Sequence, residues 1–366
     1  MPVTKINATD ALAQLDSFST VIDARSESEY GLDRLPGACN WPTLNDTQRH
    51  EVGTEYVQIS AFDARKRGAV YAARNIAAHI ERECGDKPKA WHPLIYCWRG
   101  GQRSGSLSLV LGQIGFNVKL VEGGYKAFRA AMVQDTIRLA PQFHYKVICG
   151  PTGSGKTRLL HTLNAVGAQT LDLEALAEHR SSVLGLIPGQ PQPSQKQFEM
   201  RVWNALRKLD PTRPVYVESE SKKVGNVSVP DAVMRAIRDG DCLLLDLPVQ
   251  ERVQLLLEDY DFFAKDPAFF CERLDVLTDL RGQAVIGAWK TQVMSADKTQ
   301  LAHVVRELLE VHYDPGYLSS TKRNYQKFSA HFLIAVRALS MLRNTEFASE
   351  ILKKTAPIPP AVSHLE

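Results

Sequence analysis

The feature that most constrains the fold of this chain is the run Gly150-Pro151-Thr152-Gly153-Ser154-Gly155-Lys156-Thr157. It matches the pattern G-x-x-x-x-G-K-[ST] in full, follows an apolar stretch at 145–149 and precedes a helical pattern at 156–164. A strand, a loop and a helix in this order are typical of parallel α/β sheets, in which a helix returns the chain to the next strand. The loop amides and the start of the helix form a cradle for a phosphate group.

We expect this loop to surround a β-phosphate with its backbone amides, with Lys156 reaching the phosphate oxygens and Thr157 holding Mg²⁺ if a metal is used. The loop recognises a diphosphate or triphosphate end and not the group attached to it, so the pattern does not distinguish ATP from a diphosphate ester. The residues predicted to bind phosphate are Gly150, Thr152, Gly153, Ser154, Gly155, Lys156 and Thr157.

Carboxylates follow the strands predicted near the loop. Asp172, Glu218 and Asp246 each lie at the carboxyl end of a predicted strand, where an open parallel sheet forms its ligand crevice. Each is a candidate to hold Mg²⁺ or to act as an acid or base, although acidic residues at strand ends are also common without a function. His179 and Arg180 are further candidates for anion contacts.

A second strand–loop–helix pattern carries a cysteine, in the run Cys97-Trp98-Arg99-Gly100-Gly101-Gln102-Arg103. Backbone amides in such a turn, with a helix start behind them, bind anions and favour the thiolate, the nucleophilic form of cysteine. We expect Cys97 and Arg103 to be catalytic, with Arg103 placed to fork onto oxygens of a bound group. The residues predicted to support this anion loop are Arg99, Gly100, Gly101 and Gln102.

The order of these patterns predicts an α/β chain with four parts. They are a parallel-sheet domain at 1–139, a phosphate-loop α/β domain at 140–298, a helical C-terminal segment at 299–355 and a disordered tail at 356–366. Within the C-terminal segment, helical patterns cover 299–309 and 329–342. The run at 312–317 (HYDPGY) reads as a turn that ends a helix.

Composition narrows the function classes. The chain has 366 residues and a formal net charge of +3, so charge alone neither predicts nor excludes a nucleic-acid partner. The local run Arg65, Lys66 and Arg67 is the best candidate for contact with a nucleic acid. The six cysteines are scattered without a CxxC pair, and no secretion signal or membrane-length apolar run is present. We expect a soluble cytoplasmic chain with no certain metal site.

The first block resembles a rhodanese domain in three places: residues 21–25 (VIDAR) with 35–40 (LPGACN), the cysteine loop, and 121–128 (VEGGYKAF). The resemblance implies a mainly architectural role for Asp23 and Arg25. From Cys97 to Arg103 the loop has seven positions, a length found in related cysteine phosphatases, but it contains no carboxylic acid to protonate a leaving oxygen. We therefore interpret the loop as one that accommodates a chalcogen donor carrying a phosphate.

Over residues 12–345 the chain resembles the bacterial tRNA 2-selenouridine synthases. Besides both loops, the resemblance rests on residues 171–174 (LDLE), 179–181 (HRS), 192–195 (QPSQ), 198–199 (FE) and 217–221 (VESES). The resemblance implies that wobble 2-thiouridine in the tRNAs for lysine, glutamate and glutamine becomes 2-selenouridine. Geranyl diphosphate first alkylates the sulfur, and selenium from selenophosphate then replaces the geranylated thiol.

The resemblance also implies that Cys97 carries selenium as a selenopersulfide and that the phosphate loop binds geranyl diphosphate. Both small molecules are co-substrates, Mg²⁺ is an optional cofactor, and no permanently bound group is expected. The alternative is a rhodanese-type sulfurtransferase or cysteine phosphatase fused to an ATP-dependent kinase-like domain. A nucleotide-responsive binding module without catalysis is the third reading, and the intact Cys97 argues against it.

Overall fold

Two five-stranded parallel sheets organise the chain, which a computed structural model describes over residues 3–180, 189–295 and 297–355. One compact unit comprises Met1–Arg138 with Pro193–Asn204, and the other comprises Leu139–Gln192 with Ala205–Glu366. The tail predicted to be disordered, 356–366, lies outside the described residues.

The first sheet has the strand order β1-β5-β4-β2-β3, and every neighbouring pair is parallel. Its elements are β1 (Val3–Ile6), α1 (Ala8–Ala13), β2 (Thr20–Asp23), α2 (Glu27–Leu32), β3 (Ala38–Asn40), α3 (Asp46–Gln58), α4 (Ala61–Glu83), β4 (Pro93–Tyr96), α5 (Gln102–Ile114), β5 (Val118–Val121) and α6 (Gly124–Leu139).

Helices cover both faces of this sheet, so its central strand is apolar throughout. All four residues of β4 are buried, as expected for a parallel strand covered on both sides. Side-chain caps start the helices: the Ser60 hydroxyl accepts hydrogen bonds from the first amides of α4, and Asn45 with Gln48 forms a capping box on α3. These caps explain where two long helices begin.

Asp23 and Arg25 form a buried ion pair beside the end of β2. The closest approach of their charged groups is 2.6 Å, and Arg25 also donates a hydrogen bond to the Asp33 carbonyl at 2.6 Å. The Tyr96 hydroxyl donates to Asp23 at 2.8 Å. The pair therefore ties two strands to a loop, which agrees with the architectural role expected from the sequence.

The second sheet has the order β12-β11-β6-β8-β7 and is also parallel, and a short antiparallel pair, β9 and β10, lies outside it. The elements after α6 are β6 (Tyr145–Cys149), α7 (Lys156–Ala165), β7 (Gln169–Leu171), α8 (Leu173–Ala177), α9 (Gln195–Leu206), β8 (Val215–Glu218), β9 (Lys223–Val224), β10 (Val227–Ser228), α10 (Asp231–Arg238), β11 (Asp241–Asp246), α11 (Val249–Asp259), α12 (Asp261–Lys265), α13 (Pro267–Asp275), α14 (Thr278–Arg281), α15 (Gln283–Met294), α16 (Lys298–Glu307), a π-helical stretch Leu308–Tyr313, α17 (Asp314–Asn324), β12 (Phe332–Ala335) and α18 (Thr345–Thr355).

The helical pattern predicted at 329–342 is wrong, because this stretch contains β12. The strand pairs with β11 in register from Leu243 opposite Phe332 to Asp246 opposite Ala335. The periodicity of a short apolar run does not distinguish a strand from a helix. Here the run forms a strand because the open edge of β11 provides hydrogen-bond partners for its backbone. The rest of the C-terminal segment is largely helical.

Helix α9 lies in sequence between the two segments of the second unit, but it packs as part of the first unit. The sequence places it in the domain at 140–298; the structure differs because its apolar face is buried against α6. Trp203 is fully buried, makes an edge contact with the Phe128 ring and donates a hydrogen bond from Nε1 to Asp135 at 2.8 Å. Glu199 forms an ion pair with Arg129.

The predicted fold class is confirmed: a parallel-sheet domain precedes an α/β domain that carries the phosphate-loop sequence, and the segment after it is largely helical. In the part of the chain that the structure describes, no helix is both long enough and apolar enough to cross a membrane.

Candidate functional site

Cys97 lies directly after β4, where the loop to α5 begins. Its side chain is buried, with 3% of its surface exposed. Ser104, in the first turn of α5, donates a hydrogen bond from its hydroxyl to Cys97 Sγ at 3.0 Å. Because a hydroxyl donor stabilises negative charge on sulfur, the structure supplies one of the interactions that a nucleophilic thiolate needs.

A glycine behind the cysteine loop allows two backbones to approach each other. Gly124 has a φ of +58°, and a Cβ at this position would lie 2.2 Å from the Cys97 carbonyl oxygen. The Tyr125 amide donates to that oxygen at 2.8 Å, and the Lys126 amide donates to the Trp98 carbonyl at 3.1 Å. The stretch at 121–128 that resembles the rhodanese signature therefore fixes the loop from behind.

The front of the loop faces solvent. Arg99, Gly101 and Gln102 are exposed, and Gly100 is half-buried with a φ of +67°. A Cβ on Gly100 would lie 2.8 Å from the Val121 carbonyl oxygen, so a larger residue would strain the turn. The predicted supporting residues thus surround an open loop with the sulfur below it.

Arg103 already has a carboxylate partner, Glu29, and would have to release it in order to bind an anion. Its guanidinium forms an ion pair with Glu29 at 2.5 Å, and Glu29 also accepts hydrogen bonds from Ser26. Burial raises the pKa of Glu29, but Arg103 and Arg49 outweigh burial and lower it overall. A donor phosphate would therefore compete with a carboxylate for Arg103.

The phosphate loop joins β6 to α7. Gly153 and Gly155 have φ values of +75° and +83°, and a Cβ on Gly155 would lie 2.2 Å from Leu342 Cδ1. Lys156 Nζ donates to the Gly150 carbonyl at 2.9 Å, while the buried Ser154 Oγ has no hydrogen-bond partner in the described residues. The two glycines are required by conformation and by space.

A cavity of about 910 Å³ opens beside this loop within the second unit. It is lined by Lys156 and Thr157, by the predicted residues Asp172 and Glu218, and by His179 and Arg180. Asp246 does not line the cavity and is exposed at the end of β11. The role of Asp246 as a Mg²⁺ ligand or as an acid or base therefore stays a prediction.

Three carboxylates gather on the cavity wall: one oxygen from each of Glu174, Glu218 and Glu220 lies within 4.8 Å of the others. Burial, followed by the charge of Glu174, holds the pKa of Glu218 well above its usual range. Burial lowers the pKa of Lys156, but the electrostatic contributions of Tyr317 and then of Glu218, with those of further carboxyl groups, outweigh burial and raise the pKa overall. The wall can therefore hold a cation next to the phosphate cradle.

The predicted basic run lies on the exposed surface of α4. Lys66 pairs with Asp63 at 2.5 Å and Arg67 pairs with Glu55 at 3.0 Å, while Arg65 Nε donates to the Ala61 carbonyl at 3.0 Å. Acidic neighbours therefore offset much of the positive charge of this run.

Sequence reasoning missed the role of residues 312–317. The predicted helix-ending turn is wrong, because the π-helical stretch continues into α17 through Pro315, which is tolerated in a first helical turn. Asp314 binds Arg252 at 2.7 and 2.9 Å, Arg252 donates to the Thr152 carbonyl, and the Gly150 amide donates to Tyr317 Oη at 2.5 Å. The unusual composition of HYDPGY was the signal available in the sequence.

Fold and site together define a two-domain protein in which a rhodanese-like cysteine loop accompanies a phosphate-loop domain. The profile of the rhodanese-like domain matches residues 7–131, and that of the tRNA 2-selenouridine synthase AAA domain matches residues 143–272. The chain belongs to the tRNA 2-selenouridine synthase family, as its curated relatives also indicate.

Two relatives illustrate the match. The tRNA 2-selenouridine synthase of Nitrosomonas europaea is 36% identical over 70% of this chain and 67% of its own length. That of Bdellovibrio bacteriovorus is 30% identical over 83% of this chain and 89% of its own length. A solved rhodanese-related protein from Thermoplasma volcanium matches with 18% identity and a TM-score of 0.23, covering 34% of this chain and 88% of that one.

Proposed function

We propose that the protein converts wobble 2-thiouridine of tRNA to 2-selenouridine in two steps, geranylation at the phosphate-loop cavity and selenation through Cys97. The observation that carries the proposal is the hydrogen-bonded sulfur of Cys97 beneath an open anion loop, in a chain that also has a phosphate cradle and belongs to this family. The tRNAs for lysine, glutamate and glutamine are the proposed partners.

For the first step, the diphosphate of geranyl diphosphate would bind the amides at 150–157. Lys156 supports this assignment, because a half-buried ammonium beside the cradle stabilises the negative charge of departing diphosphate. Glu174, Glu218 and Glu220 offer the oxygen ligands that Mg²⁺ prefers and would hold the ion. When bound, Mg²⁺ neutralises charge on the diphosphate oxygens.

For the second step, Cys97 would carry selenium as a selenopersulfide. Water displaces selenide from phosphorus, which breaks the P–Se bond and releases phosphate. Because this selenium is at the selenide level, formation of the S–Se bond with Cys97 also consumes a two-electron acceptor, such as a small disulfide that leaves as two thiols. The selenium then attacks C2 of the base and geranylthiol leaves. A thiol then attacks the Cys97 sulfur, which breaks the S–Se bond and leaves the selenium on C2 of the base. A second thiol releases Cys97 from the resulting mixed disulfide and regenerates the small disulfide.

The test follows both half-reactions on thiolated tRNA by nucleoside mass spectrometry. The wild-type protein receives geranyl diphosphate and then selenophosphate with a small disulfide and a thiol. We expect Cys97→Ala to accumulate S-geranyl-2-thiouridine without 2-selenouridine, and Lys156→Ala to form neither product. Cys84→Ala, which removes a half-buried thiol at the end of α4, serves as the matched control and is expected to behave as wild type.

Full-rate selenation by Cys97→Ala would overturn the role of the cysteine. Normal geranylation by Lys156→Ala with lost selenation would reverse the assignment of the two sites. Turnover of ATP in the absence of tRNA, stimulated by a small substrate, would instead support the kinase-like alternative.

A further inference from the structure

Alkylation of 2-thiouridine on sulfur releases a proton. The new S–C bond to geranyl C1 forms as the C1–O bond to diphosphate breaks, and the base then keeps a double bond between C2 and N3. The N3–H proton must leave, and neither oxidant nor reductant is involved. A group that accepts this proton near the phosphate loop would therefore accelerate the step.

His161 and Asp172 form a hydrogen-bonded pair at the cavity. His161 lies on α7, five positions after Lys156, which is roughly 7.5 Å along the helix axis. Its Nε2 is 2.8 Å from Asp172 Oδ2, and both side chains line the cavity that Lys156 also lines. The imidazole and the ammonium that is predicted to bind phosphate therefore share one cavity.

Asp172 is held in place by its other oxygen. It is the N-cap residue of α8, and its Oδ1 accepts the Ala175 amide at 2.8 Å. A carboxylate can only accept, so the proton of neutral His161 lies on Nε2 and the lone pair lies on Nδ1. Among the residues that the structure describes, none is hydrogen-bonded to His161 Nδ1.

Accessibility separates this pair from the carboxylates deeper in the cavity. The His161 side chain is 63% exposed, whereas Glu218 is 4% exposed. A nucleobase attached to tRNA approaches from solvent and reaches the exposed imidazole first. We propose that His161 is the general base that accepts the N3 proton during alkylation, with Asp172 as its positioning residue; this inference rests on the proposed function.

The test compares the geranylation half-reaction of wild type, His161→Gln and Asp172→Asn over pH. Asparagine also caps helices, so the second variant keeps the start of α8 intact. We expect His161→Gln to lower kcat/KM at neutral pH by about 10²-fold or more, with KM for geranyl diphosphate unchanged. Its rate should recover at alkaline pH, where the base ionises without help, and Asp172→Asn should show a smaller loss of the same kind.

Other charged groups near His161 and Asp172 also influence the pH–rate profile of geranylation. Glu174 and Glu178 line the same cavity from α8 and its end, Arg158 precedes His161 by one turn, and Asp259 binds Arg158 at 2.6 Å. His144→Gln is the matched control, because His144 is also an exposed histidine bound to an aspartate, Asp241, at 3.0 Å, but does not line the cavity.

An unchanged pH–rate profile and kcat/KM in His161→Gln would overturn this inference alone. An equal loss in His144→Gln would also overturn it, since the effect would then not belong to the cavity. Wild-type protein that forms no geranylated tRNA would overturn the proposed function itself.

Discussion

Ser104 is the residue that the structure pairs with the sulfur of Cys97. We expect Ser104→Ala to slow alkylation of Cys97 by iodoacetamide at neutral pH by about tenfold, because a hydrogen bond to a charged group contributes about 1.5 kcal/mol or more. The rate is measured by intact-protein and peptide mass spectrometry. Selenation should fall in parallel, while geranylation should not change.

Ser106→Ala provides the control for this variant. Ser106 lies on the same helix, but its hydroxyl donates to the Gln102 carbonyl at 2.8 Å rather than to sulfur. If both variants slow alkylation equally, the effect comes from α5 as a whole and the role assigned to the Ser104 hydroxyl is incorrect.

Glu218 predicts a pH dependence of stability in the metal-free protein. Its folded-state pKa lies well above the ordinary value of 4.5, because of burial and the neighbouring carboxylates. Such a group stabilises the fold at low pH, and the contribution is lost as pH rises above about 4.5. We expect Tm of the wild type to fall relative to Glu218→Gln as pH is raised, measured by differential scanning calorimetry.

Mg²⁺ should reverse this trend at neutral pH, because an ion that binds the folded state stabilises it. The gain in Tm should be present in wild type and in Asp246→Asn, whose side chain lies outside the cavity, and absent in Glu218→Gln. If Asp246→Asn instead lost the gain in Tm with Mg²⁺, Asp246 would contribute to the binding of the ion.

Helices α11 and α17 contact the phosphate loop through the Arg252–Asp314 pair. Arg252 is buried and joins Asp314 to the Thr152 carbonyl, so the loop depends on the packing of two helices. We expect Asp314→Asn to lower the free energy of unfolding by about 1–3 kcal/mol, because Arg252 loses its counter-charge. Binding of inorganic diphosphate should weaken as well, which urea unfolding and calorimetry together measure.

Asp261→Asn is a matched change, since it also removes a carboxylate from an ion pair, here with Lys265 on α12. Both partners are largely exposed, so stability and diphosphate binding should stay as in wild type. Equal effects of the two substitutions would show that the loop does not depend on the Arg252–Asp314 contact.

At the level of the two units, α9 packs in the first unit, although residues 139–192 of the second unit separate it in sequence from the rest of the first. Trp203 is buried against α6, so the amides at 195–204 should open together with those of α6. Hydrogen exchange in increasing guanidinium measures this by mass spectrometry. Peptides from α7 provide the comparison, and exchange of α9 in step with α7 rather than α6 would contradict the assignment.

The sequence alone was sufficient to predict the parts whose signals are local. The glycines and lysine at 150–157 mark a strand–loop–helix turn, and β6 spans the apolar stretch at 145–149 that precedes this loop in the sequence. The cysteine loop was equally recognisable, because its glycines and helix start follow one another in the chain. The position of Asp172 in the cavity followed from the general rule for strand ends.

Other features depended on contacts between residues far apart in sequence, which no local pattern encodes. Residues Phe332–Ala335 form a strand because they pair with the open edge of β11. The apolar face of α9 is buried because it packs against α6. The pairs of Arg103 with Glu29, Arg252 with Asp314, and His161 with Asp172 arose in the same way. Local sequence patterns were enough to locate the loops that are predicted to bind a phosphate and to favour a thiolate. The charged partners of these loops could not be predicted in the same way, because they are distant in the chain and meet only when it folds.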